Sequence, residues 1–341
     1  MDYQKVLGLG VAGNFAGHLE QAGEARDFAN VKTAEKKAPK ALFPFYLPQK
    51  KDSFLSEFPL SISSLAIPED ADRVQIEPEI GIVFKINYDG VFVSSIEPLW
   101  FGAYNDCSIR REGAKKISEK KNWGADSKGY SPVSITIDTL SEGGVLDNYR
   151  IASFLIRGED CYEYGIDSAV RDYSYFHEDL MKWIVDRMNN QADEGPMENI
   201  HEYILACGKP EHCLISIGAT RYTEFGEKNY LKKGDLSVVL AYSEKDYTPE
   251  QIKALVSEFR FADIKGLCWF RRQYRRLRWI VIFMWGTLSV ISRERKLISQ
   301  VMNIFIKSWP LHSILKPVKS WWSTRDFIPR SKPVPGRTRC L

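Results

Sequence analysis

Two glutamates, separated by one residue, stand at the start of an apolar stretch. Glu77 and Glu79 come directly before the run IGIVF at residues 80–84. If this segment is a strand, residues i and i+2 point to the same face, so the two carboxylates lie side by side. Two like charges beside a buried segment are unfavourable unless a cation neutralises them. The segment therefore indicates either a cation site or an exposed strand start with two solvated glutamates.

A third acidic residue, Asp106, lies in the segment GAYNDCSIR at residues 102–110. Asn-Asp is a turn signal, and Asp106 is a candidate for a third oxygen ligand. The alternative is an Asx-type turn that leaves Arg110 on the surface. The segment KGYSP at residues 128–132 follows and carries Lys128.

The sequence GLGVAG at residues 8–13 is a literal GxGxxG. In a dinucleotide-binding unit such glycines let the backbone approach a pyrophosphate at a helix N-terminus. That unit also requires a second, parallel strand after the helix. Here a lysine-rich stretch and then ALFPFYLP, residues 41–48, come next. The sequence therefore favours a glycine-rich turn packed against the body over a nucleotide site.

Composition and cysteine spacing argue against several protein classes. Apolar residues are 44% and charged residues 27% of the chain, which are ordinary globular values and not those of a disordered or polytopic membrane protein. The six cysteines include no CxxC pair, and Cys207 and Cys213 around His212 lack a second cluster. We therefore expect reduced thiols and no zinc site. The N-terminus lacks the basic and apolar regions of a secretory signal.

The elements that must hold the acidic residues are mostly strands. Segments rich in β-branched and apolar residues, bounded by turn signals such as Asp89-Gly90, predict strands within 60–100 and at 133–139, 151–157, 213–218 and 236–242. Apolar residues at four-residue steps predict a helix at 174–190. A second helix is predicted from Thr248, where Pro249 and Gln251 complete a capping box. The predicted fold class is mainly β with a few helices (α+β), without a regular βαβ array.

In this order, the features resemble the fumarylacetoacetate hydrolase (FAH) family from about residue 4 to about residue 242. The family has an Asn-aromatic-Ala-x-His signature, an ExE metal strand, a GYxxxNDxSxR segment, a Lys-x-aromatic loop and a late Leu-x-x-Gly-Asp. The similar segments here are GNFAGH (13–18), EPEIGIV (77–83), GAYNDCSIR (102–110), KGYSP (128–132) and LKKGD (231–235). The resemblance implies a divergent, bacterial-type member with an FAH-like mixed β-roll or sandwich.

The resemblance also implies a metal centre. Glu77, Glu79 and Asp106 would be its ligands, and a set of three carboxylates suits Mg²⁺ or Mn²⁺ rather than zinc. The implied activity is that of a hydrolase or lyase acting on a small 2-oxo or β-diketo acid through a metal-stabilised enolate. Decarboxylation, hydration and isomerisation are further reactions of this type.

Four further residues take site positions through the same resemblance. His18 would activate water or move a proton, and Lys128 would neutralise substrate charge. Arg110 and Thr220 would contact the substrate. Two structural alternatives stay open, in which His18 is a hydrogen-bonded histidine in a glycine turn and Arg110 is a pairing partner of Asp106.

Three departures from the family pattern favour a different function. Ile217 and Ala219 stand where the family has the threonines of Thr-Gly-Thr, and Gln21 stands where family hydrolases often have a glutamate. The alternative function is therefore a catalytically inactive, FAH-fold binding or scaffold protein. The complete Glu77, Glu79 and Asp106 set argues for activity.

The last 76 residues differ from the rest in charge. Residues 266–341 hold 16 Lys or Arg and two acidic residues, whereas residues 1–265 hold 31 and 42. Residues 279–291 carry no charge but are shorter than the ~20 residues that span a bilayer. With arginines on both sides, they are typical of a segment lying on an anionic membrane surface. Packing on a partner or second subunit and an unselected read-through extension remain alternatives, and nucleic-acid binding is not expected.

These observations predict two regions, an FAH-like catalytic domain over 1–265 and a basic, Trp-rich extension over 266–341. We also expect a homodimer and a cytoplasmic location, with a peripheral contact at the inner face of the membrane through the extension.

Overall fold

The computed structural model describes residues 1–31, 33, 35–111, 113–260 and, for the backbone, 268–275. Within these residues the chain forms fifteen strands and six short α-helices, which confirms the predicted mainly β class. The strands are β1 (Leu7–Ala12), β2 (Ala41–Tyr46), β3 (Leu60–Ser61), β4 (Ser64–Ala66), β5 (Val74–Gln75), β6 (Pro78–Asp89), β7 (Phe92–Asn105), β8 (Ser108–Ile109), β9 (Lys128–Tyr130), β10 (Ile135–Thr136), β11 (Tyr149–Arg157), β12 (Asp160–Ala169), β13 (His212–Ser216), β14 (Leu236–Ser243) and β15 (Cys268–Arg275). The helices are α1 (His18–Gln21), α2 (Ser118–Lys121), α3 (His177–Asn190), α4 (Ile200–Ala206), α5 (Glu224–Lys228) and α6 (Pro249–Ser257).

The larger sheet is built around one long hairpin. Its strand order is β2-β1-β13-β6-β7-β9-β3, with β10 also pairing with β7. The hairpin of β6 and β7 turns at Gly90, whose φ of +59° lies in the left-handed region that glycine adopts easily. The turn predicted at Asp89-Gly90 is therefore present. The strand predicted at 133–139 is shorter than expected, because Asp138 accepts backbone hydrogen bonds from Thr139 and Val145 and turns the chain.

The smaller sheet packs against the larger one and has the order β12-β11-β14-β15-β4. Ile82 and Phe101 of the larger sheet share one buried core with Ile151 and Val239 of the smaller sheet. The outer face of the smaller sheet is covered by α6, which begins with the predicted capping box at Thr248. The two sheets form a sandwich whose core is continuous from one layer to the next.

The glycine motif at residues 8–13 serves packing. The next strand in the chain, β2, pairs antiparallel with β1, and the parallel neighbour of β1 is the distant strand β13, so the consecutive parallel strands of a dinucleotide-binding unit are not formed here. Gly8 and Gly10 lie within β1, where an added Cβ would overlap the rings of Phe45 and Phe43. Aromatic packing thus explains these glycines without a nucleotide.

The end of the first region differs from the sequence-based boundary in one respect. Strand β15 (Cys268–Arg275) lies beyond residue 265, yet it pairs antiparallel with β14. The division at 265 stays a prediction. The segment predicted to lie on a membrane, residues 279–291, is outside the described residues. In the part of the chain that is described, no helix is both long and apolar enough to cross a bilayer.

Candidate metal centre and active site

The β6–β7 hairpin brings three carboxylates to one end of the larger sheet. Glu77 comes directly before β6, Glu79 is its second residue, and Asp106 comes directly after β7. Antiparallel pairing places Pro78 opposite Asn105. The junction is fixed by hydrogen bonds from the Asp106 N–H to the Glu77 carbonyl (3.0 Å) and from the Glu77 N–H to Asn105 Oδ1 (3.1 Å).

The side chains of Glu77, Glu79 and Asp106 form a buried group, which we call the acidic cluster. Each offers a carboxylate oxygen, and these three oxygens lie within 4.8 Å of one another. The three residues are only 1%, 2% and 0% exposed. Three buried negative charges at this spacing require compensation by cations.

Two lysines supply part of that compensation. Lys121 Nζ lies 2.5 Å from Glu77 Oε2 and 2.7 Å from Asp106 Oδ2. Lys128 Nζ lies 2.9 Å from Asp106 Oδ1 and donates a hydrogen bond to the Cys107 carbonyl at 2.6 Å. The predicted Lys128 is thus fully buried against the cluster, on the short strand β9 that pairs with β7.

Lys121 was missed by sequence reasoning. It lies in α2, in the run KKISEKK (115–121), where the default expectation is a solvated charged segment. Its ammonium also lies 5.3 Å from the centre of the Phe43 ring, on β2. The residue is only 4% exposed. The available signal was that this run begins only a few residues after the NDxSxR segment in the sequence, which suggests that its lysines lie near Asp106.

The Arg110 side chain is only 7% exposed and lies next to the cluster, so the alternative that left it on the surface is wrong. Its Nη2 is 2.7 Å from Glu77 Oε1, and its Nη1 is 2.9 Å from Glu24 Oε1. It also donates hydrogen bonds to Tyr222 and Gln75. Its ion pairs are with the two glutamates and not with Asp106, the partner that one alternative had suggested.

His18 is held in place through Nδ1, and its second ring nitrogen, Nε2, faces the cluster. Its Nδ1 lies 2.8 Å from the Thr220 carbonyl, and its Nε2 lies 3.8 Å from Glu77 Oε1. A carbonyl oxygen only accepts, so Nδ1 carries a proton, and in the neutral ring Nε2 keeps its lone pair on the side of the cluster. The local structure is the start of α1, which follows Gly17 with a φ of +83°.

Thr220 and Gln21 lie in the same part of the site as His18. The Thr220 hydroxyl is buried and has no hydrogen-bond partner among the described residues. The Gln21 amide bonds both backbone groups of Tyr222, at 2.9 and 3.2 Å. Gln21 therefore holds the chain segment whose carbonyl orients His18, a structural use that explains an amide at this position.

The loop with the altered threonine positions still contacts the cluster through its backbone. Gly218 lies between Ile217 and Ala219, and its N–H donates a 2.8 Å hydrogen bond to Glu79 Oε2. This is a contact that does not depend on side-chain hydroxyls. The substitution at the two threonine positions therefore leaves one backbone donor on the cluster.

The carboxylates differ in their electrostatic surroundings. Burial raises the pKa of Glu79 well above its usual range, and the charges of Asp106 and Glu77 raise it further. Burial alone would also raise the pKa of Glu77, but the positive charges of Lys121 and Arg110 outweigh it and hold that pKa well below its usual range. Among the described residues, Glu79 forms no ion pair.

The donor set fits a hard divalent cation. Three carboxylates that converge without Cys or His are the ligands that Mg²⁺ and Mn²⁺ prefer. Because burial and the charges of Asp106 and Glu77 raise the pKa of Glu79, its carboxyl needs a nearby cation to ionise, and it is the ligand that depends most on such a metal. Lys121 already bridges the other two.

A cavity of about 530 Å³ is linked to the cluster through Arg110, and none of the three cluster residues lines it. Arg110, Glu24 and Lys120 line it, and Arg110 connects it to Glu77 by the 2.7 Å ion pair. Its charged lining consists of five basic residues, Arg26, Arg73, Arg110, Arg111 and Lys120, and three acidic residues, Glu24, Asp27 and Glu227. The described lining therefore carries a positive excess.

Solved structures that match the chain cover most of it at low identity. Cg1458 with inhibitor is 17% identical over 79% of this chain and 77% of that chain, with a TM-score of 0.47. A 2-keto-3-deoxy-D-arabinonate dehydratase complexed with magnesium and 2,5-dioxopentanoate is 14% identical over 79% and 73%, with a TM-score of 0.45. A protein from Oleispira antarctica, described as a candidate fumarylacetoacetate isomerase/hydrolase, is 12% identical over 79% and 93%, with a TM-score of 0.44.

No curated protein sequence matches the chain. The family model that matches is that of a family of unknown function (DUF5718), and it spans residues 24–273. This range contains the acidic cluster, Lys121 and Lys128 and most of the chain, and it begins after His18. The chain therefore belongs to the DUF5718 family.

Proposed function

We propose that the protein is a divalent-metal-dependent enzyme that acts on a small 2-oxo acid, as the FAH resemblance implies. The observation that carries this proposal is the convergence of three buried carboxylates with His18 and Lys128 at one end of the β6–β7 hairpin. Glu79, the third carboxylate, forms no ion pair with any residue that the structure describes. Perturbed, buried ionisable groups of this kind are typical of functional sites.

In this proposal Glu77, Glu79 and Asp106 hold Mg²⁺ or Mn²⁺. The metal would supply Lewis-acid polarisation of the substrate carbonyl. Mg²⁺ is usually bound through few carboxylates and retains exchangeable positions, which suits a small oxygen ligand such as a 2-oxo acid. The chain itself supplies the remaining groups.

His18 is the proton-handling group of the proposal. Its Nδ1–H is engaged by the Thr220 carbonyl, which fixes the tautomer and leaves Nε2 to accept a proton from water or substrate. Its ring is almost fully buried, so competing exchange with bulk water is limited. The positions of Gln21 and Tyr222 are consistent with a supporting role, because they hold the segment that orients this ring.

The charge of the adjacent cavity supports an anionic substrate. Arg110 and Lys120 face it together with three further arginines, and only part of that charge is balanced by the acidic lining residues. A carboxylate group is attracted to guanidinium groups by charge and by paired hydrogen bonds. Hydrolysis, decarboxylation, hydration and isomerisation of 2-oxo acids all fit this set of groups.

The test is thermal unfolding of the full chain after removal of metals. Mn²⁺ or Mg²⁺ should raise the unfolding temperature, and oxalate, a mimic of a 2-oxo acid, should raise it further in the presence of metal. The Glu79→Gln variant should lose the metal-dependent shift. Glu97→Gln, an exposed glutamate on the same hairpin, is the matched control and should keep it. An equal shift in Glu79→Gln would remove the acidic cluster as the metal site.

Turnover is tested separately. A panel of small 2-oxo acids should yield a reaction that stops in excess chelator and is absent in Glu79→Gln. Full turnover in excess chelator would contradict a catalytic role for the metal.

One observation favours the second candidate, a non-catalytic binding or scaffold protein. Each oxygen of Glu77 and Asp106 already faces a nitrogen of Lys121, Lys128 or Arg110 within 3 Å. These four ion pairs, made by three cations, can balance the charge of the cluster without a metal. A full chain that unfolds cooperatively and shows no response to Mn²⁺, Mg²⁺ or oxalate would support this candidate.

A further inference from the structure

The ammonium group of Lys121 lies within the acidic cluster. It donates hydrogen bonds to Glu77 Oε2 at 2.5 Å and to Ser108 Oγ at 2.7 Å, and it forms an ion pair with Asp106 Oδ2 at 2.7 Å. Lys121 thus acts as a cation that bridges two of the three candidate ligands.

The other two cations hold the cluster in a different way. Lys128 faces one oxygen of Asp106, and Arg110 faces one oxygen of Glu77. Neither of them joins two cluster carboxylates. A divalent ion bound by all three carboxylates needs oxygens at about 2.0–2.6 Å. Lys121 is therefore the group that stands in direct competition with such an ion, both for oxygen lone pairs and through charge repulsion.

We propose that Lys121 is the resident counter-cation of the acidic cluster in the metal-free protein and competes with the divalent metal for it. This inference rests on the proposed function in one respect, that the cluster binds a metal. When the metal binds, the Lys121 ammonium leaves Glu77 and Asp106. The lysine thereby lowers metal affinity and keeps the empty cluster folded.

The local structure permits this exchange. Lys121 is the last residue of the four-residue helix α2, and Asn122 after it is already extended. A lysine ammonium sits on a flexible four-carbon chain, so it can move while the backbone stays in place. The strands that carry the carboxylates, β6 and β7, need not change their pairing.

The test is a titration of the full chain with Mn²⁺, in which the electron paramagnetic resonance signal of free Mn²⁺ measures how much metal is bound. Lys121→Met removes the charge and keeps the length, and it should tighten Mn²⁺ binding about tenfold or more. Lys121→Arg keeps the charge and should not tighten it. Lys120→Met is the matched control: it removes a charge from the same helix, but its pairs are with Asp27 and Glu24, and its affinity should stay within about threefold of the wild type.

The outcomes separate this inference from the proposed function. Wild-type binding that Lys121→Met leaves unchanged overturns the inference and leaves the metal site standing. Absence of Mn²⁺ binding in the wild type and in every variant overturns both. Binding in Lys121→Met alone supports the inference in its strongest form, in which the lysine excludes the metal.

A structural measurement covers the case in which Lys121→Met does not fold. A crystal of the wild-type protein soaked in Mn²⁺ should show anomalous density at the cluster and Lys121 Nζ withdrawn from both carboxylates. Mn²⁺ bound at the cluster with Lys121 Nζ still at its present distances would overturn the inference.

Discussion

At the scale of single residues, Glu77 and Glu79 are chemically alike but have opposite electrostatic surroundings. Glu77 faces Lys121 and Arg110, whereas Glu79 accepts a hydrogen bond from the Gly218 N–H and forms no ion pair with a described residue. Removing one partner of a buried ion pair leaves the other charge uncompensated. Burial raises the pKa of Glu79 and favours its neutral carboxyl in the metal-free protein, so an amide in its place removes no paired charge. The two glutamates should therefore respond differently to the same substitution.

In metal-free protein, Glu77→Gln should lower the free energy of unfolding by about 3–5 kcal/mol, because Lys121 and Arg110 each lose one of their two carboxylate partners. Glu79→Gln should leave it unchanged or raise it, since the amide oxygen still accepts from Gly218. Urea unfolding at neutral pH in the presence of chelator measures both, and each variant is the control for the other. Equal destabilisation by the two substitutions would contradict the charge assignment.

A second titratable residue, Glu198, makes stability depend on pH away from the cluster. Burial raises the pKa of Glu198 to about 7, although the Ser118 hydroxyl donates a 2.6 Å hydrogen bond to its carboxylate. The folded protein therefore holds a proton that the unfolded chain releases at lower pH. The corresponding stability is present below the unfolded pKa and is lost as pH rises through 7.

Between about pH 5 and pH 8, the wild type should lose up to roughly 3 kcal/mol through this residue. Glu198→Gln should show a flatter dependence of unfolding free energy on pH, and the exposed Glu194→Gln should follow the wild type. Chemical denaturation over this pH range measures the three slopes. A wild-type slope retained in Glu198→Gln would refute the assignment.

At the scale of elements, the hairpin that carries the site could be predicted from the sequence, and the helix that completes it could not. Glu77, Glu79 and Asp106 are brought together by β6 and β7, which the apolar run and the Asp89-Gly90 turn indicate. The run KKISEKK has no apolar periodicity, and α2 is buried through ion pairs with distant residues. Tertiary contacts of that kind leave no periodic pattern, which is why Lys121 escaped prediction.

The contact between Gly10 of β1 and Phe43 of β2 leaves no room for a larger side chain. Gly10 lies against the Phe43 ring, and that ring also faces the Lys121 ammonium at 5.3 Å. Gly10→Ala should lower the free energy of unfolding by about 1–3 kcal/mol, because the new methyl group forces the ring to shift. The double variant Gly10→Ala with Phe43→Leu should recover part of this loss relative to the sum of the single variants. Additive losses in thermal or urea unfolding would contradict a direct contact.

At the scale of the whole molecule, the composition change near residue 265 marks a boundary that the sheet does not follow. β15 (Cys268–Arg275) pairs with both β14 and β4, so it connects two strands of the smaller sheet. A chain that ends at Lys265 would leave β14 with an unpaired edge. We expect it to unfold at lower temperature and to aggregate more than a chain that ends at Arg275. Equal unfolding temperatures would show that β15 adds nothing to the sheet.

The position of β15 determines which shortened chain can be used to test the membrane prediction. Three of the five arginines that precede the uncharged segment 279–291, namely Arg271, Arg272 and Arg275, belong to β15. A deletion that removes them would confuse loss of the sheet with loss of a membrane contact. The informative comparison is therefore between the full chain and a chain that ends at Arg275, floated with anionic and with neutral liposomes. Because basic flanks and interfacial tryptophans favour anionic surfaces, the full chain should float with anionic vesicles and the shortened chain should not. Equal partitioning of the two chains would refute membrane association through residues 276–341.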